Sequence, residues 1–119
     1  MSEIRATTIS DAAGTGPITL TKQSAAKAWL SNYYDNGGTI GDSFGVSSVT
    51  DVGTGACRVN FGNSFDSVNF SHTASDNYYG MCQTEPSSQT VSSGLIATYS
   101  NTFVLIDTVK NSVAHGDLA

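Results

Sequence analysis

The stretch from Phe44 to Phe61 reads FGVSSVTDVGTGACRVNF. Phe44, Val46 and Ser48 share one parity and Gly45, Ser47 and Val49 the other; after Thr50-Asp51-Val52-Gly53-Thr54-Gly55, Cys57, Val59 and Phe61 recur at every second position. A repeat of two is the period of a strand, whose successive side chains point to opposite faces. Two such strands around a Gly-containing loop predict a β-hairpin. Its second strand is expected to turn Cys57, Val59 and Phe61 inward and Arg58 and Asn60 outward.

The same cadence extends on both sides. Upstream, Ala25 to Tyr34 (AAKAWLSNYY) has helix-forming alanines, but Trp29, Tyr33 and Tyr34 favour a strand. The turn signal Asp35-Asn36-Gly37-Gly38 follows it. Downstream, Val68 to His72, Tyr78 to Thr84, Gly94 to Tyr99 and Phe103 to Val109 are short runs bounded by Ser, Asn, Asp, Gly or Pro. Such spacing predicts an all-β fold: an antiparallel β-sandwich, jelly-roll-like, or a small barrel. Phe103-Val104-Leu105-Ile106 is apolar on both parities and is expected to be a strand buried on both faces, by the core or by a neighbouring subunit. Residues 1–24, with isolated Ile4, Ile9, Ile18 and Leu20 and the turn signal Gly14-Thr15-Gly16-Pro17, read as an extended N-terminal arm, which if ordered must lie against its own domain or a partner chain and is otherwise a frayed terminus. Residues 25–119 form the single β domain.

Composition agrees with strands. Ser and Thr number 31 of 119 residues, and Glu occurs only at Glu3 and Glu85. Ser and Asn compete with helical backbone hydrogen bonds, and Thr suits a pleated surface. The net charge of −5, with five Lys plus Arg and no basic cluster, speaks against a nucleic-acid partner, which would need cations to neutralise phosphates. No apolar run approaches the roughly 20 residues of a membrane span, and Met1 to Ala12 lacks the basic start and apolar stretch of a signal peptide. Folding in a cytoplasm is therefore expected, with Cys57 and Cys82 as reduced, packed thiols rather than a disulfide.

The residues that carry chemistry form no recognisable pattern. Cys57, His72, Cys82 and His115 lack the spacing of a zinc site, and the expectation is that both cysteines pack as small hydrophobes while both histidines lie at the surface or near chain ends. Ser and Asp abound without a Gly-x-Ser-x-Gly elbow. Asp66, Asp76, Glu85 and Asp107 offer no distinguished carboxylate pair for glycoside hydrolysis. The Gly-Thr-Gly segments at 14–16 and 53–55 do not continue into phosphate-binding loops and read as turns. Asp76-Asn77-Tyr78-Tyr79-Gly80 and Trp29 are read first as core or subunit-interface anchors and second as platforms for sugar or protein. No enzyme, cofactor, catalytic residue or metal ligand is assigned.

Three segments carry a resemblance. Leu20-Thr21-Lys22-Gln23-Ser24-Ala25-Ala26-Lys27-Ala28-Trp29, then Asp42-Ser43-Phe44-Gly45-Val46-Ser47-Ser48-Val49-Thr50-Asp51 with Gly53-Thr54-Gly55, and the closing Ala114-His115-Gly116-Asp117-Leu118-Ala119 resemble a family of short phage and prophage tail-fibre-like proteins. The likeness covers the first half and the end, not residues 63–101, and Trp29-Leu30-Ser31-Asn32-Tyr33-Tyr34-Asp35 departs from the family's pattern after its Trp. The resemblance implies a virion structural protein, β-rich, homotrimeric, assembled in the host cytoplasm with other capsid or tail proteins. A tail fibre would touch a host glycan or protein; the alternative is a capsid decoration, or cement, protein. The resemblance transfers no catalytic or binding residues.

Overall fold

In the computed structural model, which describes residues 26–34, 37–77 and 80–119, the hairpin read from the sequence is present. Among the described residues eight strands run β1 Ala28–Tyr34, β2 Asp42–Phe44, β3 Val46–Gly53, β4 Ala56–Phe61, β5 Ser71–Asp76, β6 Met81–Thr84, β7 Ser93–Tyr99 and β8 Val109–His115, with one 3-10 turn at Pro86–Ser88. They form two antiparallel four-stranded sheets, ordered β2-β1-β8-β5 and β3-β4-β7-β6. The fold is thus all-β and sandwich-like, as the alternation predicts. The proposed arm lies outside the described residues.

β4 has the predicted parity, with Cys57, Val59 and Phe61 buried between the sheets and Arg58 and Asn60 on the other side. The strand expected before it is broken in two. Gly45 takes φ +66, so the chain leaves the first sheet after Phe44 and enters the second at Val46. A Cβ at Gly45 would stand 2.3 Å from the Lys27 carbonyl oxygen, which restricts this crossing to glycine. A register shift between Val46 and Ser48 then changes the parity of β3, and Val46 and Val49 both pack against the core.

Other boundaries also move. The run from Val68 becomes a strand only at Ser71, and the one from Tyr78 only at Met81, residues 78 and 79 being outside the described set. The strand buried on both faces is β7, where Ser93 through Thr98 are all buried, and not Phe103–Ile106. Its outward side is covered by Arg58, whose Nη1 donates to the Ser88 carbonyl at 2.9 Å and to Ser93 Oγ at 3.1 Å.

The core has two distinct ends. Where β1 begins and β8 ends, Phe65 and Phe70 stack with centroids 4.1 Å apart, and Phe61 meets both edge-on at 5.2 and 5.4 Å. Toward the opposite end the space between the sheets is filled by Tyr33, Cys57, Thr98 and Lys110, each no more than 1 % exposed, with Cys82 packed against this core.

Candidate functional site

The link from β7 to β8 contains the most exposed large apolar side chains among the described residues. Tyr99 bridges Leu105, and the Ile106 amide donates to the Thr98 carbonyl at 3.1 Å. The segment thereby occupies the place beside β7 that β4 vacates at its turn, where the Gly55 carbonyl accepts from the Thr98 amide. Between them, residues 100–104 reverse direction. The Ser100 amide donates to the Val104 carbonyl at 2.8 Å, and Ser100 Oγ accepts from the amides of Thr102 and Val104 at 3.3 Å each. This places Phe103 at φ +63, a conformation costly for a bulky side chain, with 76 % of its surface exposed, beside Val104 at 60 %. The expected doubly buried strand is instead a pinned turn, because hydrogen bonds from Ser100 close the chain before it can pair as a strand. Met81, paired with Tyr99, and Val52 add exposed apolar surface at the same end.

The ionisable groups inside the sandwich are shaped by burial. His72 is 8 % exposed, contrary to the surface position expected from the sequence; strand pairing with Ala114 of β8 turns its ring inward against Phe61. Neither ring nitrogen meets a hydrogen-bond partner among the described residues, and desolvation pulls its pKa down to about 4. Burial lowers Lys110 to about 8 and raises Cys57 and Cys82 to about 12, with the Cys82 thiol adding to the shift at Cys57 and Asp76 to that at Cys82. Tyr33 is raised, by burial first and then by Cys57 and Asp51. Thiols held protonated at neutral pH are poor nucleophiles and poor metal ligands. Both cysteines are free. β7 lies between their strands, with Cys57 opposite Ile96 and Cys82 opposite Thr98, so their Cα atoms stand about 12 Å apart, beyond the roughly 7 Å a disulfide can bridge.

The other candidates disperse. Among the described residues no three His, Cys, Asp or Glu converge as a metal site. Asp107 is committed to structure, its Oδ1 accepting from the Gly55 amide at 2.7 Å. Asp76 sits near that end, at the close of β5, while Asp66 and Glu85 lie toward the Phe-rich end, where the amide of Asp66 donates to the Asp117 carbonyl. The tyrosines at 78 and 79 and the first Gly-Thr-Gly segment lie outside the described residues.

Trp29 is not in the core. Ala28 and Leu30 face inward, so Trp29 and Ser31 face outward on the first sheet. On β8 the polar Lys110 and Ser112 are buried with Ala114, and Val109, Asn111 and Val113 lie outward, the reverse of what hydrophobicity alone suggests. A shallow, open depression of about 240 Å³ lies over β5 and β8, lined by Thr73, Ala74, Ser75, Asn111, Ser112 and Val113. Beside it three asparagines close a ring of hydrogen bonds. The Asn32 backbone N–H donates to Asn111 Oδ1 at 3.0 Å, Asn111 Nδ2 to Asn77 Oδ1 at 2.8 Å, and Asn77 Nδ2 to Asn32 Oδ1 at 3.0 Å. Asn32 reaches this position through a bulge in β1, at φ +55. The sequence marks Trp29 but contains no signal for this amide ring, because its members are far apart in the chain. No family model, curated protein sequence or solved structure matches the chain.

Proposed function

We propose that this chain is a structural module of a bacteriophage virion surface, fibre-like and homotrimeric, which joins other virion proteins and contacts the host. The observation that supports this most is the pinned turn at 100–104. A rigid loop that holds Phe103 and Val104 in solvent, at a cost in backbone strain, suits a surface evolved to be covered by another protein. Aromatic anchors presented on a preorganised backbone lose little conformational entropy on docking. Cys57 and Lys110 are enclosed in the sandwich and Cys82 is half-buried against its core, which suits an assembly role better than catalysis.

The first test is the copy number of this chain per purified particle, by quantitative mass spectrometry against the major capsid protein. A few to a few tens of copies fit a tail or vertex fibre. Hundreds of copies fit the alternative, a capsid decoration protein that clamps the shell. A chain absent from purified particles removes both readings. Phe103→Asp tests the assembly surface directly: light scattering should report a trimer for the parent chain and monomer for the variant, with the β-sheet circular dichroism spectrum unchanged.

A further inference from the structure

The outward face of the first sheet is ordered as two cross-strand rows. Phe44 pairs with Trp29, Trp29 with Val113, and Val113 with Thr73, which makes one row across all four strands, apolar for three of its four members. The next row runs from Asp42, paired with Ser31, past the β1 bulge at Asn32 to Asn111 and its partner Ser75. Two residues of strand separate the rows, a spacing of roughly 7 Å. The shallow depression over β5 and β8 spans both, with Val113 and Thr73 from one row and Asn111 and Ser75 from the other.

From this juxtaposition we infer that the outward face of the first sheet is a binding site for a neutral sugar ring, with Trp29 as its stacking platform and Asn111 as its fixed hydrogen-bonding partner. A pyranose has one apolar face of C–H groups and a rim of hydroxyls, which matches an indole beside a polar row. The asparagine ring supplies preorganisation. Each of Asn77 and Asn111 donates one amide hydrogen within the ring and so retains a second for a ligand oxygen, while the ring itself prevents the amides from turning away. The charge pattern selects against anionic ligands. In these two rows the single ionisable side chain is the carboxylate of Asp42, at the sheet edge, and the whole chain carries −5. The inverted parity of β8 points the same way, because it places Val113 on the surface beside Trp29 while Lys110 and Ser112 occupy the interior.

This inference rests on the virion-surface reading for its biological use, since a host-facing module needs a host ligand, yet it is tested without the particle. Trp29 is the chain's one tryptophan, so its emission reports directly on the site. The full-length chain is titrated with a panel of neutral di- to tetrasaccharides containing glucose, galactose, mannose or N-acetylglucosamine, followed by fluorescence and calorimetry. At least one should give a saturable shift in emission. Trp29→Ala should then weaken calorimetric binding about tenfold or more, and Asn111→Ala several-fold, with oligomeric state unchanged. Phe103→Asn, at the opposite kind of surface, should leave binding intact. No saturable response to any panel member overturns the inference, as does a Trp29→Ala protein that changes oligomeric state and binds sugar like the parent, since the face would then be a contact between copies. The copy-number measurement fails or succeeds independently of these titrations.

Discussion

At one end of the sandwich Phe61, Phe65 and Phe70 meet ring to ring, while toward the other Tyr33, Cys57, Cys82, Thr98 and Lys110 fill the same gap between the same two sheets. The aromatic end is held by apolar area and close packing, which scarcely depend on solution conditions. The polar end is held by groups whose burial is tolerable in one protonation state only. His72 is the exception that ties the two together, an ionisable ring placed among phenylalanines. One core can therefore answer acid at one end and alkali at the other.

The sharpest way to break this contrast is Phe65→Ala. Phe65 is 1 % exposed and touches both other rings, so the variant should lose about 3–5 kcal/mol in denaturant unfolding. A loss below about 1 kcal/mol would mean that the aromatic cluster does not bear the fold.

Acid should act next most strongly. The folded pKa of His72, about 4, lies below the 6.5 of the unfolded chain, so between these values the unfolded state binds more protons. Stability attributable to this ring is complete above pH 6.5 and falls by up to about 3 kcal/mol as pH drops through 4. His72→Phe should flatten that limb of the stability profile. An unchanged acid limb in the variant would assign it to carboxylates instead.

Gly94 sharpens the same point. A Cβ there would stand 2.4 Å from His72 Nδ1, so Gly94→Ala should cost about 1–3 kcal/mol. His72→Ala in the same chain should recover part of that cost, a coupling read from a double-mutant cycle.

At alkaline pH the polar end dominates. Lys110, lowered to about 8, adds stability as pH rises from 8 toward its ordinary 10.5, because the folded chain releases the buried proton first. The thiols work against it. Their folded values near 12 exceed the ordinary 9, so their contribution is intact below 9 and lost as pH climbs toward 12. Cys57→Ala should lose about 1 kcal/mol at pH 7 and show a shallower alkaline decline than the parent. The smallest effect belongs to a residue in neither half of the core: in monomeric protein at low concentration, Phe103→Asn should move unfolding stability by no more than about 0.5 kcal/mol, since the ring is exposed there and Asn tolerates φ +63.

What the sequence reveals follows from how local each cause is. The β3–β4 hairpin is legible because its period and its Thr54-Gly55 turn are contiguous. Gly45 is visible as a residue but not as a crossing, since its constraint comes from the Lys27 carbonyl on another strand. Phe103–Ile106 misleads because an apolar run predicts burial only if nothing closes the chain first, and Ser100 does so. β7 hides for the converse reason: Ser93 looks like a surface residue until Arg58 covers it, and Gly94 and Thr98 look so until the opposite sheet, with His72 against Gly94, closes over them. His72 and Lys110 lie in strands whose neighbours carry no inward apolar signal, so their burial is set by pairing alone. The outward face around Trp29 was legible in one residue, and its asparagines only after folding.

The pairing of β1 with β8 joins residues near the start of the described chain to residues near its close, Ala28 lying opposite Ala114. During synthesis the first sheet is therefore an open structure until β8 has left the ribosome, with β1 paired only to the short β2 and β5 unpaired in its sheet, since both await β8. The β3–β4 hairpin and its β7 and β6 neighbours can assemble earlier, from nearer contacts. The nascent chain should accordingly pass through a stage in which one layer is formed and the other exposes two unpaired strand edges, and the assembling cell must keep those edges from finding each other on neighbouring chains.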